Sequence, residues 1–185
     1  MEWSYRLLTS DEKIALERLS VFRTHFSLAD AVAVREGGEL EHISVMQIIV
    51  GLCEKSLLTN YLHGNVPRYR LLDVTRLFAR ERLDEMDDHN ETYARHAELM
   101  RELTNAMESH WKLMPEAVWA STYHSALGEI RAAIEWAFSP GGDIDIGVPL
   151  TEVVTCSAYF PTLEARSLYP QILKAISAKG SDSNR

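Results

Sequence analysis

The spacing of apolar residues changes near residue 57 from the period of helices to that of strands, and it returns to the helical period at a further predicted helix that begins at Asp73. Before residue 57, three apolar segments separated by turn residues predict three helices, the first beginning at the capping-box sequence Thr9–Glu12. After it, Leu57–Leu62 and Arg68–Leu71 flank the turn sequence His63–Asn65, which predicts a β-hairpin. Three helices followed by a hairpin are the winged-helix arrangement.

The remainder of the chain has helical spacing throughout. We expect helices over about 91–110, from Pro115 to Phe138, over about 146–160 and over about 163–177. The acidic stretch 84–90 predicts a junction. The predicted fold is mainly α: a winged-helix domain over residues 1–86, an antiparallel, TPR-like helical bundle over 87–178, and a disordered tail over 179–185.

The third helix, from Val45 to about Lys55, occupies the position from which winged helices read DNA. It is apolar nearly all round, so we expect it to be buried. Of the side chains that read base edges it offers only Gln47 and Lys55, which is a poor recognition surface. We therefore expect Val45, Ile49 and Leu52 to face inward.

The charge balance also disfavours nucleic acid as a partner. The chain carries 27 acidic and 19 basic residues, a formal net charge of −8, so it repels phosphate backbones on average. A local basic patch is still predicted around the hairpin and the helix after it, which could contact nucleic acid or a protein partner: Arg68, Arg70, Arg76 and Arg80. We therefore predict a non-catalytic regulatory module that acts by protein–protein contact through an acidic, helical surface, and DNA binding by these arginines is the alternative function.

No motif in the sequence indicates catalysis. The segment Gly51–Ser56 lacks the glycine that a phosphate loop places before its lysine, and none of the seven histidines or two cysteines has metal-ligand spacing. We expect no catalytic, cofactor-binding or metal-ligating residue, and so no enzyme. No signal peptide or membrane-spanning run is evident, which predicts a cytoplasmic protein, although secretion without a cleavable signal would leave no mark.

Aromatic residues of the second half allow two interpretations. They form the core of stacked helices, or some of them belong to an apolar face that a partner covers. The residues considered for such an interaction surface are Trp111, Trp119, Tyr159 and Tyr169. An acidic rim would favour a basic partner protein, and a homo-oligomer would cover the same face.

Several segments, in order, resemble the winged-helix region and first helical repeats of STAND ATPases, the NB-ARC-type bacterial transcriptional regulators. The segments that carry this resemblance are Trp3–Leu8, Leu19–Phe22, Glu54–Leu58, Arg68–Asp73, Arg95–Ala97 and Ile130–Asp143.

The resemblance implies a nucleotide-driven switch, in which an ATPase domain precedes the winged helix, tetratricopeptide-like repeats sense an input, and many members carry a separate DNA-binding domain. No ATPase motif occurs in this sequence, so the implied partner is the ATPase domain of a larger regulator. If the chain instead starts at Met1 as a complete small protein, we expect an adaptor or effector. Related members have a Met-His-Asp motif whose histidine touches the nucleotide phosphate, and the matching residues here are Leu71–Asp73, with Leu72 in the histidine's place.

Overall fold

The computed structural model describes residues 2–35, 41–63, 66–111 and 113–156. It is mainly helical with one small antiparallel sheet, a winged helix followed by a helical bundle, so the predicted fold class is confirmed. The chain divides into two compact units between His96 and Ala97, inside a long helix. We call them the wing unit and the bundle unit and describe each by itself. The domain bounds 1–86, 87–178 and 179–185 stay sequence predictions.

The wing unit begins with four helices. They are α1 (Glu2–Arg6), α2 (Ser10–Leu19), α3 (Leu28–Ala33) and α4 (Glu41–Glu54). Helices α2 and α3 both start at capping boxes, because Thr9 exchanges side-chain and backbone hydrogen bonds with Glu12, and Ser27 does so with Asp30. The predicted capping box at Thr9 is thus present, and α1 is a helix that the sequence pattern did not indicate.

Helix α4 ends in a Schellman motif. The Leu57 amide donates to the Leu52 carbonyl at 2.9 Å, and the Ser56 amide donates to the Cys53 carbonyl at 2.9 Å. Ser56 takes the left-handed conformation that this motif requires, with φ 58°. Leu52 and Leu57 are both buried, which directs the chain from the helix into the first strand.

The hairpin consists of β1 (Leu58–His63) and β2 (Val66–Leu71), paired antiparallel with Leu58 opposite Leu71. On its other edge β2 pairs with Phe26, which exchanges two backbone hydrogen bonds with Tyr69 at 2.9 and 2.8 Å. Phe26 is fully buried, so this short bridge fastens the segment between α2 and α3 to the wing.

Helix α5 (Asp73–Asp84) follows the hairpin directly and places Thr75, Ala79 and Leu83 in the interior of the wing unit. Its Phe78 ring packs edge-on against Tyr5 of α1, with 5.2 Å between ring centroids. The Tyr5 hydroxyl donates to Glu17 of α2. These contacts hold α1 against the other helices.

The bundle unit contains the remaining helices. They are α6 (His89–Trp111, shared with the wing unit), α7 (Glu116–Tyr123), a 3-10 turn (His124–Ala126), α8 (Leu127–Ala137) and α9 (Ile144–Cys156). Its core consists of Ala97, Met100, Met107, Trp119, Tyr123, Ile130, Ala133, Ile134 and Leu150. The turn between α8 and α9 includes Gly141 at φ 87°, a conformation that glycine adopts without strain.

The helix predicted from Pro115 to Phe138 is wrong as a single element. The chain leaves the α-helix after Tyr123 and re-enters it at Leu127, which turns both Tyr123 and Ile130 into the core. Helix α4 begins at Glu41, before the predicted start at Val45. The predicted helix over 163–177 and the tail over 179–185 lie outside the described residues.

Candidate interaction surfaces

The three apolar residues of α4 that were predicted to face the interior do face it. Val45, Ile49 and Leu52 are all buried, so this part of the prediction is confirmed. The expectation that α4 is buried nearly all round is wrong, because Met46 is 54% exposed and Val50 is 47% exposed. Met46 and Val50 are one turn apart, so they form an apolar stripe on the outer face.

The polar groups beside this stripe offer little to a nucleic acid. Gln47 is exposed, but Lys55 forms an ion pair with Glu12, whose carboxylate also caps α2. Burial alone would raise the pKa of Glu12, yet the hydrogen bonds from Lys55 and Thr9 outweigh it and lower that pKa overall. The exposed face of α4 is therefore apolar and neutral at Met46, Gln47 and Val50.

The four predicted arginines lie on two elements, Arg68 and Arg70 on β2 and Arg76 and Arg80 on α5. Three of them have carboxylate partners within the wing unit. Arg68 pairs with Asp30 at 3.3 Å, Arg70 with Asp73 at 2.9 Å and Arg80 with Asp84 at 3.8 Å. These pairs lower the positive potential that the hairpin would otherwise present to DNA.

Arg76 and Arg80 belong to a basic cluster that also contains Arg23, a residue that our sequence prediction missed. Burial is the main reason why the pKa of Arg80 is lowered, and the charges of Arg23 and Arg76 lower it further. Sequence spacing indicates that Arg76 and Arg80 share a face. Arg23 comes from the segment after α2, and no local pattern could have placed it there.

In the bundle unit, the two described residues of the predicted interaction surface, Trp111 and Trp119, differ in exposure. Trp119 is 4% exposed and its indole nitrogen donates to the Met107 carbonyl at 2.8 Å, so its assignment to a contact surface is corrected to the core. Trp111 packs edge-on against Trp119 and stays 43% exposed. Tyr159 and Tyr169 lie outside the described residues.

Trp111 has exposed apolar neighbours along the chain. Leu113 is 80% exposed and Val118, in the first half of α7, is 49% exposed. The connection between α6 and α7 therefore presents an apolar group in which Trp111 is the largest member. We call it the α6–α7 patch, defined by Trp111, Leu113 and Val118.

The described ranges, with their gaps, contain no group of three His, Cys, Asp or Glu side chains placed to hold a metal ion. Burial raises the pKa of the Cys53 thiol, which makes it a poor nucleophile. Leu72, which stands in the place of the phosphate-contacting histidine in the resemblance, is exposed and precedes α5. No helix in the described part of the chain is both long and apolar enough to cross a membrane.

The described part of the chain is therefore a winged helix followed by a helical bundle, with exposed apolar groups on α4 and between α6 and α7. The chain is 32% identical, over 146 residues, to proteins named "putative HTH-type transcriptional regulator" from Mycobacterium bovis and from Mycobacterium tuberculosis. The match covers 76% of this chain and 16% of each relative, so the chain spans about a sixth of their length. No family model and no solved structure matches it.

Proposed function

We propose that this chain is a non-catalytic module of a transcriptional regulator and acts by protein–protein contact through the outer face of α4. The observation that carries this proposal is the character of that face. At the position where a winged helix would read base edges, α4 exposes Met46 and Val50. Apolar side chains of this kind gain free energy from burial against a protein surface and have little to recognise on a DNA backbone.

The α6–α7 patch supports the same function in the other unit. An exposed tryptophan such as Trp111 is typical of the core of protein interfaces, where aromatic side chains contribute much of the binding energy, and Leu113 and Val118 add exposed apolar area to the same connection. The two surfaces are separate proposals about contact, since each belongs to its own unit. Loss of one is expected to leave the other intact.

The partner is proposed from the resemblance to STAND regulators. The ATPase domain of a larger regulator is the first candidate, a basic partner protein is the second, and a second copy of this chain is the third. The absence of catalysis, like the NB-ARC-type assignment, belongs to this proposal. Its support is the regulatory name of the mycobacterial relatives together with the apolar face of α4.

The α4 contact is tested with the double variant Met46→Lys/Val50→Lys in the full chain. Self-association is measured by light scattering after size exclusion, and exposed apolar surface is measured with Nile red, an uncharged dye. We expect the variant to lose the part of the dye binding that α4 contributes and any self-association through α4, while the α6–α7 patch retains its share of the dye. The control is Thr59→Lys/Asn60→Lys, which adds the same charge at exposed positions of β1. A monomeric wild type that binds no dye would refute the proposal.

Direct DNA binding is the second candidate function. The name of the mycobacterial relatives favours it at least as strongly as protein contact, because helix-turn-helix regulators act on DNA. Fluorescence anisotropy with duplex DNA at two salt concentrations separates the candidates. We expect weak binding that Arg68→Ala leaves unchanged. Tight binding that falls steeply with salt, and falls again in Arg68→Ala, would favour the DNA-binding function.

A further inference from the structure

The free edge of the hairpin is β1, because the outer edge of β2 is already occupied. Phe26 and Tyr69 exchange two backbone hydrogen bonds there, so both backbone groups of Tyr69 point away from β1. Tyr69 stands opposite Asn60, which makes these two residues a pair without mutual backbone hydrogen bonds. The N–H and C=O groups of Asn60 therefore point outward, and by the alternation of an antiparallel ladder those of Leu62 do the same.

Pro67 agrees with this hydrogen-bonding pattern. It stands opposite Leu62, at a position where the backbone groups of β2 turn away from β1, so its missing N–H removes no bond from the hairpin. Among the described residues, no other element forms a backbone hydrogen bond with Asn60 or Leu62, and the sheet consists of β1 and β2 alone. The outer edge of β1 thus presents backbone donors and acceptors that a further strand could use.

β1 also lacks the features by which edge strands usually avoid pairing. It contains no proline and no Asp, Glu, Lys or Arg residue, and its register with β2 runs without a bulge. Its outer half carries apolar area on both faces of the hairpin, since Leu62 is 71% exposed and Tyr61, which points to the opposite face, is 41% exposed. A strand beside β1 would form backbone hydrogen bonds and cover both side chains.

We infer that the free edge of β1 binds an extended segment of a partner protein, which adds a strand to the hairpin through main-chain hydrogen bonds. An extended backbone presents acceptors and donors at the same two-residue spacing as the outward groups of Asn60 and Leu62. This inference rests on the proposed function, since it assumes that the chain works by protein contact, and it assigns to that contact a second surface made of backbone groups.

The charge of the chain defines the chemistry of the segment. The edge strand itself is uncharged, and the net charge of −8 repels an acidic segment on average. The segment is therefore neutral or basic, and rich in the β-branched residues that favour strands. The same net charge opposes the pairing of β1 with β1 of a second copy.

The test uses a fluorescently labelled peptide of alternating Val and Thr residues with a lysine at each end, titrated against the full chain and followed by anisotropy. We expect saturable binding that changes little between about 50 mM and about 500 mM salt, because main-chain hydrogen bonds rather than charges hold the peptide. A peptide of the same sequence with N-methylated central amides keeps the side chains and the charge but cannot pair as a strand. We expect this peptide not to compete.

Variants of the hairpin locate the binding at the edge. Asn60→Pro removes an outward donor and leaves the bonds between β1 and β2 in place, as Pro67 does on β2, so we expect the affinity to fall about tenfold. Leu62→Lys places a charge at the edge and should also weaken binding, which keeps the test decisive if Asn60→Pro does not fold. The matched control Val66→Lys adds the same charge at an exposed position of β2 and should leave binding unchanged. Circular dichroism of each variant confirms that it is folded.

Several results would overturn the inference. Absence of saturable binding by the wild type would do so, and so would equal losses in Leu62→Lys and Val66→Lys. Competition by the N-methylated peptide as strong as by the unmodified one would show that side chains alone hold the peptide. Self-association of the wild type that Asn60→Pro abolishes would identify a second copy as the occupant. Because Met46→Lys/Val50→Lys leaves β1 unchanged and should bind the peptide like the wild type, failure at α4 and failure at β1 are distinguished.

Discussion

The wing unit and the bundle unit are held together by different kinds of contact. In the wing unit, polar side chains cap the starts of α2 and α3, and Glu12 and Asp30 each combine a capping hydrogen bond with an ion pair to a more distant element. In the bundle unit, α7 and α8 begin without any side-chain cap, and their ends are set by what Trp119, Tyr123 and Ile130 fill in the core. Local capping hydrogen bonds thus fix the starts of α2 and α3 in the wing unit, whereas core packing fixes the ends of α7 and α8 in the bundle unit.

The largest expected effect is therefore a core truncation in the bundle unit. Trp119→Ala removes a buried ring and leaves a cavity, so we expect a loss of about 3–5 kcal/mol in the free energy of unfolding. Chemical denaturation measures the loss, and hydrogen exchange should locate it in α7 and α8. Trp119→Phe keeps most of the packing but loses the hydrogen bond to Met107, so it should cost about 1–2 kcal/mol. Equal losses in both variants would contradict a role dominated by packing.

The second prediction concerns the capping chemistry of the wing unit. Glu12→Gln keeps an acceptor for the Thr9 amide but removes the charge that faces Lys55, so we expect a loss of about 1–2 kcal/mol at neutral pH. The control is Glu116→Gln, in the first turn of α7, where the exposed carboxylate has no ion pair among the described residues and lies at the positive end of the helix dipole, so the loss should be a few tenths of a kcal/mol.

The Glu12→Gln substitution is also expected to change how the free energy of unfolding depends on pH. The pKa of Glu12 is lowered in the folded chain from its ordinary value of 4.5, so its contribution to stability is present above pH 4.5 and is lost as the pH falls through the folded pKa. The stability gap between wild type and Glu12→Gln should thus be full at pH 7 and close at more acidic pH. A gap that stays constant from pH 7 to pH 3 would show that the Lys55 pair is not its source.

The contrast between local capping and core packing also explains which features of the fold could be predicted from the sequence. The start of α2 and the hairpin followed from local patterns, because a capping box and an alternating strand are written in neighbouring residues. The break after Tyr123 did not, because His124–Ala126 contains neither glycine nor proline and the turn is imposed by the core. The candidate interaction surfaces also contain one part that local patterns predict and one part that depends on tertiary structure. The inward face of α4 was predicted from its apolar residues, but the contribution of Arg23 to the α5 cluster depends on tertiary structure.

The smallest predicted effect is a gain in stability at the end of α4, where the wing unit departs from its own local rules. Ser56 takes a φ of 58° at the position that glycine favours in a Schellman motif, so Ser56→Gly should relieve strain and stabilise the chain by about 0.5–1 kcal/mol. Thermal unfolding followed by circular dichroism checks the sign. Ser56→Val, whose branched side chain fits this conformation worse, should destabilise the chain. Because both variants leave Met46 and Val50 unchanged, they should alter stability and not the proposed α4 contact. A Ser56→Gly chain that is less stable than wild type would show that the serine side chain contributes more at this helix end than its backbone conformation costs.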